Sequence, residues 1–111
     1  MDEQGGELLR GTLDLLVLRV LAEAPMHGWG IGERLTALSD EVFLVQQGSV
    51  YPALQRLRRQ GWVQAEWRRS ENNRRARYYA LTPAGRRRLG IEVEAWRRAS
   101  GAVERILAWD P

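Results

Sequence analysis

Ser49, Gln55, Arg56 and Arg59 are of types that can hydrogen-bond to nucleic acid, and they fall within one short stretch. It runs G-S-V-Y-P-A-L-Q-R-L-R-R-Q-G, from Gly48 to Gly61. Read as a helix of about three and a half turns, it places Val50, Ala53, Leu54 and Leu57 at the i, i+3, i+4, i+7 spacing of a buried face. Ser49, Pro52, Gln55, Arg56 and Arg59 then project from the other side, which carries no acid and no large apolar residue. Arg and Gln can pair with base edges in the major groove of DNA, and Ser with phosphates. Ser49 is expected as the N-cap. Pro52 is expected in the first turn, where its missing amide costs little. Gly61 is expected to stop the helix. A surface helix with solvated arginines fits this stretch alone equally well.

The charge pattern separates the two readings. Residues 1–47 hold three arginines and eight acids; residues 48–88 hold eleven arginines and two acids; residues 89–111 hold three arginines and four acids. The net charge of +3 therefore conceals a block of +9 between acidic ends. Solubilising charge is scattered, whereas a segregated positive block marks a surface for a polyanion. All the basic residues are arginine, whose planar fork suits phosphate and guanine. Much of the block lies in R-R-S-E-N-N-R-R-A-R, Arg68 to Arg77, with one acid, Glu71. A solvated loop is the bland reading of that run. Like charges packed this closely repel one another unless an anion relieves them.

Other chemistries find little support. The chain has no cysteine and a single histidine, His27, so no disulfide frame, thiolate centre or histidine-rich metal site is expected. Carboxylates are scattered, no Ser has a His partner in view, and no glycine-rich phosphate loop follows a strand. An enzyme is not expected, nor a cofactor. No run of about 18 apolar residues and no cleavable leader is visible, so a cytoplasmic location is expected. A membrane-surface helix is disfavoured because the apolar face beside the arginines is committed to a core.

The elements that position these side chains follow from periodicity. Residues 1–7 read as a frayed start. Leu8 to Ala24 reads as a first helix with two apolar stripes, Leu13, Leu16, Val17, Val20 and Leu21, then Leu8, Leu15, Leu18 and Ala22. Such a helix needs cover on more than one side, here the domain's own core and a second copy of the chain. His27 closes a turn into a second helix, Gly30 to Ser39. Val42, Phe43, Leu44 and Val45 are expected to pin the connection beneath the next helix. After Gly61 the period becomes two. Val63, Ala65 and Trp67 predict a half-buried strand, then a long cationic tip from Arg68 to Arg77. Arg77 to Thr82 reads as the return strand. Thr82 and Pro83 begin a last helix running to about Trp109. Its seam of Leu89, Val93, Trp96, Ala99, Val103, Ile106 and Leu107 resembles a coiled coil. The predicted fold is mainly α with a small β-hairpin wing. A winged helix-turn-helix domain over 8–82 is followed by a dimerisation helix over 83–111. The expected dimer interface comprises Leu15, Leu18, Leu89, Val93, Trp96, Val103, Ile106 and Leu107. A winged helix used only to bind protein is the alternative, but it would want an apolar outer face.

In this order the motifs resemble the PadR-like transcriptional regulators, in the short form with one C-terminal helix. The resemblance rests on L-L-R-G-T-L-D-L-L-V-L (Leu8 to Leu18), H-G-W-G-I (His27 to Ile31), G-S-V-Y-P-A-L-Q-R-L (Gly48 to Leu57), G-W-V (Gly61 to Val63) and S-E-N-N-R-R-A-R-Y-Y-A-L-T-P-A-G (Ser70 to Gly85). Trp29 stands where the family usually has Tyr. The resemblance implies a homodimeric repressor of neighbouring genes that binds double-stranded DNA. It implies DNA contacts from Ser49, Tyr51, Pro52 and Gln55 on the recognition helix and from Asn73, Arg74, Arg75 and Arg77 on the wing. It also implies release by a small molecule, with Trp96 a candidate to hold an aromatic effector.

Overall fold

Why the first helix stops early is visible in its last hydrogen bonds. The computed structural model describes residues 9–111, so Leu8 and the expected frayed start lie outside the described residues. Helix α1 spans Leu9–Leu21 and ends three residues before the apolar pattern predicts. The Ala22 amide is shared between the Leu18 and Arg19 carbonyls, and Glu23 bonds Val20, so the last turn tightens. Pro25 follows and keeps Ala24 out of helical geometry.

Strand β1, Met26–His27, pairs antiparallel with the returning hairpin strand at Met26–Tyr79 and His27–Tyr78. Helix α2, Gly28–Leu38, begins under a cap from His27, whose Nδ1 accepts from the Gly30 amide at 3.0 Å. The histidine is thus structural, as expected. The connection to the next helix is held by hydroxyls. Ser39 Oγ accepts from the Phe43 amide and Thr36 Oγ1 from the Val45 amide, both at 3.1 Å. Asp40 and Glu41 take left-handed backbone to make this turn. Phe43 and Val45 are half-buried, but Val42 and Leu44 turn outward, so only half of the expected apolar pin forms.

Helix α3, Gln47–Arg59, buries Val50, Ala53, Leu54 and Leu57 as the spacing predicts. Its start differs from expectation. The helix begins at Gln47, with Gln46 at the cap position and no side-chain cap bond, so Ser49 is not the N-cap. Pro52 therefore lies inside the helix, and the Gly48 carbonyl loses its amide partner there. Gly48 is exposed, so water can replace that bond. At the other end Gly61 has φ of 80°. The Gly61 amide bonds the Arg58 carbonyl and the Trp62 amide bonds Leu57, the paired closure of a glycine-terminated helix.

Strands β2, Val63–Arg69, and β3, Arg75–Leu81, complete an antiparallel sheet in the order β1-β3-β2. Helix α4, Pro83–Leu107, is capped by Thr82, whose hydroxyl accepts from the Gly85 amide at 3.0 Å and donates to the Gly61 carbonyl at 2.7 Å. The core is contributed chiefly by α1, α2 and α3, closed by Val63 and Tyr79 from the sheet. α1 is its centre, touching α2, α3, α4 and β3. Leu89 on α4 still packs on this core, whereas the rest of α4 extends away from it, and the molecule measures 60 × 32 × 20 Å.

Candidate nucleic-acid interface

α3 is seated against α2 by two glycines one helical turn apart. A Cβ at Gly28 would lie 3.2 Å from Tyr51 Cζ, and one at Gly32 would lie 3.0 Å from Gln47 Nε2. Gln47 Nε2 also donates to the Gly28 carbonyl at 3.0 Å. Close approach of this kind fixes the angle at which α3 leaves the core. It also lays the Tyr51 ring along α2 while leaving 48% of that residue exposed.

The outer face of α3 then carries Pro52, Gln55 and Arg59, all exposed, with Ser49 half-buried at its edge. Arg56 departs from expectation. It turns toward α1 and grips Asp14 with two hydrogen bonds, Nη2 to Oδ1 at 2.7 Å and Nε to Oδ2 at 3.1 Å. Both side chains are about a quarter exposed. The hydrogen bond to the Asp14 carboxylate, helped by its charge, raises the Arg56 pKa above the ordinary arginine value. The spacing predicts Arg56 on the outer face; two of its donors are instead committed to Asp14, so it ties α3 to α1.

The hairpin is more regular than the charge run predicts. Arg68 and Arg69 belong to β2, and Arg75 and Arg77 to β3, so only residues 70–74 form the turn. Asn73 takes left-handed backbone, and its carbonyl and Oδ1 accept from Arg69 Nη1 at 2.9 and 3.2 Å. Arg68 pairs with Glu66 at 2.9 Å and lies over Tyr78. Arg74 and Arg75 are exposed and Arg77 is half-buried. Trp67 is 55% exposed, not half-buried, because β2 runs past the end of the core before reaching it.

The expected pairing surface divides. Leu18 is 1% exposed and lies in the protomer's own core, and Leu15 is nearly as buried, so neither offers a face to a partner. Of the second stripe of α1, Leu15 and Leu18 are covered by their own domain and Ala22 is half-buried. Leu89 and Val93 are half-buried. Trp96, Val103, Ile106 and Leu107 are exposed on α4, joined by Ile91 and Trp109, which the seam pattern omits. Two further residues were missed. Asp14 is the only acid in α1, and a lone acid among apolar residues needs a partner. Trp67 was read only as a strand position, although its cross-strand neighbours are arginines.

Among the described residues no group of three or more His, Asp or Glu gathers as metal ligands do, and no helix is long and apolar enough to cross a membrane.

Comparison with known proteins gives one answer. The family model described as the transcriptional regulator PadR-like family matches residues 17–91. A PadR family transcriptional regulator from Eggerthella lenta superposes with a TM-score of 0.76 at 31% identity, covering 94% of this chain and 88% of that one. A PadR-like regulator from Bacillus cereus shares the fold with a TM-score of 0.80 at 22% identity, covering 94% and 99%. By sequence, the chain is 38% identical over 89 residues to a 37.1 kDa protein in transposon TN4556 of Streptomyces fradiae, spanning 24% of that protein's length. It is 22% identical over 98 residues to a protein X of Lysinibacillus sphaericus, spanning 90% of it.

Proposed function

The chain belongs to the PadR-like family of transcriptional regulators, and from that premise we propose that it is a sequence-specific, DNA-binding repressor that works as a homodimer. The observation that carries the reading is the group of arginines that α3 and the wing present without acid partners. Arg56 is not among them, being held by Asp14. Arg59 on α3 and Arg74, Arg75 and Arg77 on the wing have no acid partner among the described residues. Unpaired cations on two adjoining elements of a winged helix are what a duplex requires of it. α3 would enter the major groove, with Gln55 and Arg59 at base edges and Ser49, Tyr51 and Pro52 close to the backbone. The wing would lie on flanking DNA through Asn73, Arg74, Arg75 and Arg77.

Pairing through α4 supports the second half of the reading. Trp96, Val103, Ile106 and Leu107 leave a long apolar strip in water, which a second copy would cover. Two recognition helices about 34 Å apart would then read a two-fold site. The reading includes a small aromatic effector held at Trp96, tested by titrating wild type and Trp96→Phe with flat aromatic compounds. Such a ligand regulates only by binding the DNA-competent and incompetent dimers unequally.

The direct test is duplex binding by the purified protein across a salt series. If each dimer neutralises about 6–10 phosphates, affinity falls by ~10³–10⁵ between ~50 and ~200 mM salt. Affinity that ignores salt would remove the arginines from the interface.

A further inference from the structure

The wing holds an unusual pairing of aromatic and charge. Trp67 is the direct cross-strand partner of Arg77, and Arg75 lies two residues further along the same face of β3. Their guanidinium carbons stand 5.6 Å (Arg77) and 4.9 Å (Arg75) from the centroid of the Trp67 ring. The sheet register therefore brings two cations to one indole. A ring's negative face attracts both cations, but the two repel each other. An anion would relieve that repulsion.

The two arginines of β2 are occupied otherwise. Arg68 bonds Glu66, and Arg69 bonds Asn73. Arg75 and Arg77 have no side-chain hydrogen bond or ion pair among the described residues, and Arg77 Nε is buried without an acceptor. Trp67 is the one ring that either cation stacks on among the described residues. A free arginine on an exposed strand loses rotamer freedom when it grips an anion; one already stacked has lost much of it in advance.

We propose that Trp67 is a positioning residue of the wing, holding Arg75 and Arg77 in the orientation in which they meet DNA phosphates. The inference rests on the DNA-binding reading above. The indole itself makes no contact with DNA on this account. Its ring matters for the two cations it carries, not for its apolar bulk.

The variants W67F, W67L and W67A separate those roles. W67F keeps an aromatic face, whereas W67L keeps apolar bulk without one. Each is first checked for a wild-type unfolding temperature, which the exposure of Trp67 leads one to expect. Fluorescence anisotropy with labelled duplexes then gives affinity and its salt slope, for a selected site and for an unrelated sequence. W67L and W67A should weaken both duplexes equally, about five- to tenfold, and reduce the salt slope by about one to two. W67F should stay within about twofold of wild type. In an R75A/R77A background, W67L should add no further loss. The proposal is overturned if W67L binds like wild type with an unchanged slope. It is overturned too if W67F is as weak as W67A, since the indole would then act on DNA itself. Failure of the wild-type protein to bind any duplex would instead strike the DNA-binding reading, and this inference with it.

Discussion

Asp14 on α1 and Arg56 on α3 close a two-pronged ion pair across the domain, with contacts of 2.7 and 3.1 Å. It joins the central helix of the core to the helix proposed to read DNA. Fork geometry fixes the rotation of one helix against the other more tightly than apolar packing alone. The same clamp turns Arg56 toward α1 and leaves Gln55 and Arg59 on the outer face of α3.

Asp14→Ala should lower stability by about 1–3 kcal/mol, because it strands a partly buried guanidinium. Thermal unfolding should then begin several degrees lower. Arg56→Ala should also destabilise, yet leave the preferred DNA sequence unchanged. A changed sequence preference for Arg56→Ala, in a variant that folds normally, would return Arg56 to the list of base contacts.

Gly85→Ala should be among the costlier small substitutions. A methyl there would overlap the Trp62 carbonyl oxygen, a backbone atom that cannot swing aside. That carbonyl also accepts from the Thr82 amide at 3.0 Å, so the start of α4 would be pushed off the sheet. A loss of about 3 kcal/mol is expected from overpacking of this severity. A denaturant midpoint equal to wild type would show that the junction gives way freely.

Substitutions on the two halves of the proposed DNA surface should fail differently. Gln55→Ala and Arg59→Ala should relax preference at one or two base positions, each worth roughly 1–3 kcal/mol of discrimination. Arg74→Ala with Arg75→Ala should weaken every duplex alike and flatten the salt dependence. Competition binding against a panel of single-base variants distinguishes the two patterns. The same pattern from both sets would contradict the assignment of reading to α3 and gripping to the wing.

Ile106→Asp with Leu107→Asp should convert a dimer into a monomer in sedimentation velocity, with the helical signal of the domain largely kept. Both residues are more than 70% exposed in the protomer, so placing charge there costs its own core little. If the double variant still sediments as a dimer, pairing does not use the distal half of α4.

The architecture was largely legible in the sequence because most of its elements are long enough to show a period. The buried face of α3, the Thr82 cap, the Gly61 stop and the length of α4 all follow from local rules about spacing and end residues. What stayed hidden depends on neighbours distant in the chain. β1 is two residues long, too short to display alternation, and exists only because β3 passes beside it. The burial of Leu18 reflects the central place of α1, which an apolar stripe does not reveal. The pairing of Arg56 is invisible to local spacing because its partner, Asp14, lies 42 positions earlier. The tip of the hairpin was read as long because arginine has no strand signature, although cross-strand pairing carries regular structure through Arg69 and Arg75.

Selecting bound duplexes from a random pool with the purified chain tests the central claim most directly. The account predicts enrichment of an inverted repeat whose half-sites lie about 10–10.5 base pairs apart, bound by two copies of the chain. A pool that stays unenriched at low salt, with the protein sedimenting as a single chain, would contradict it.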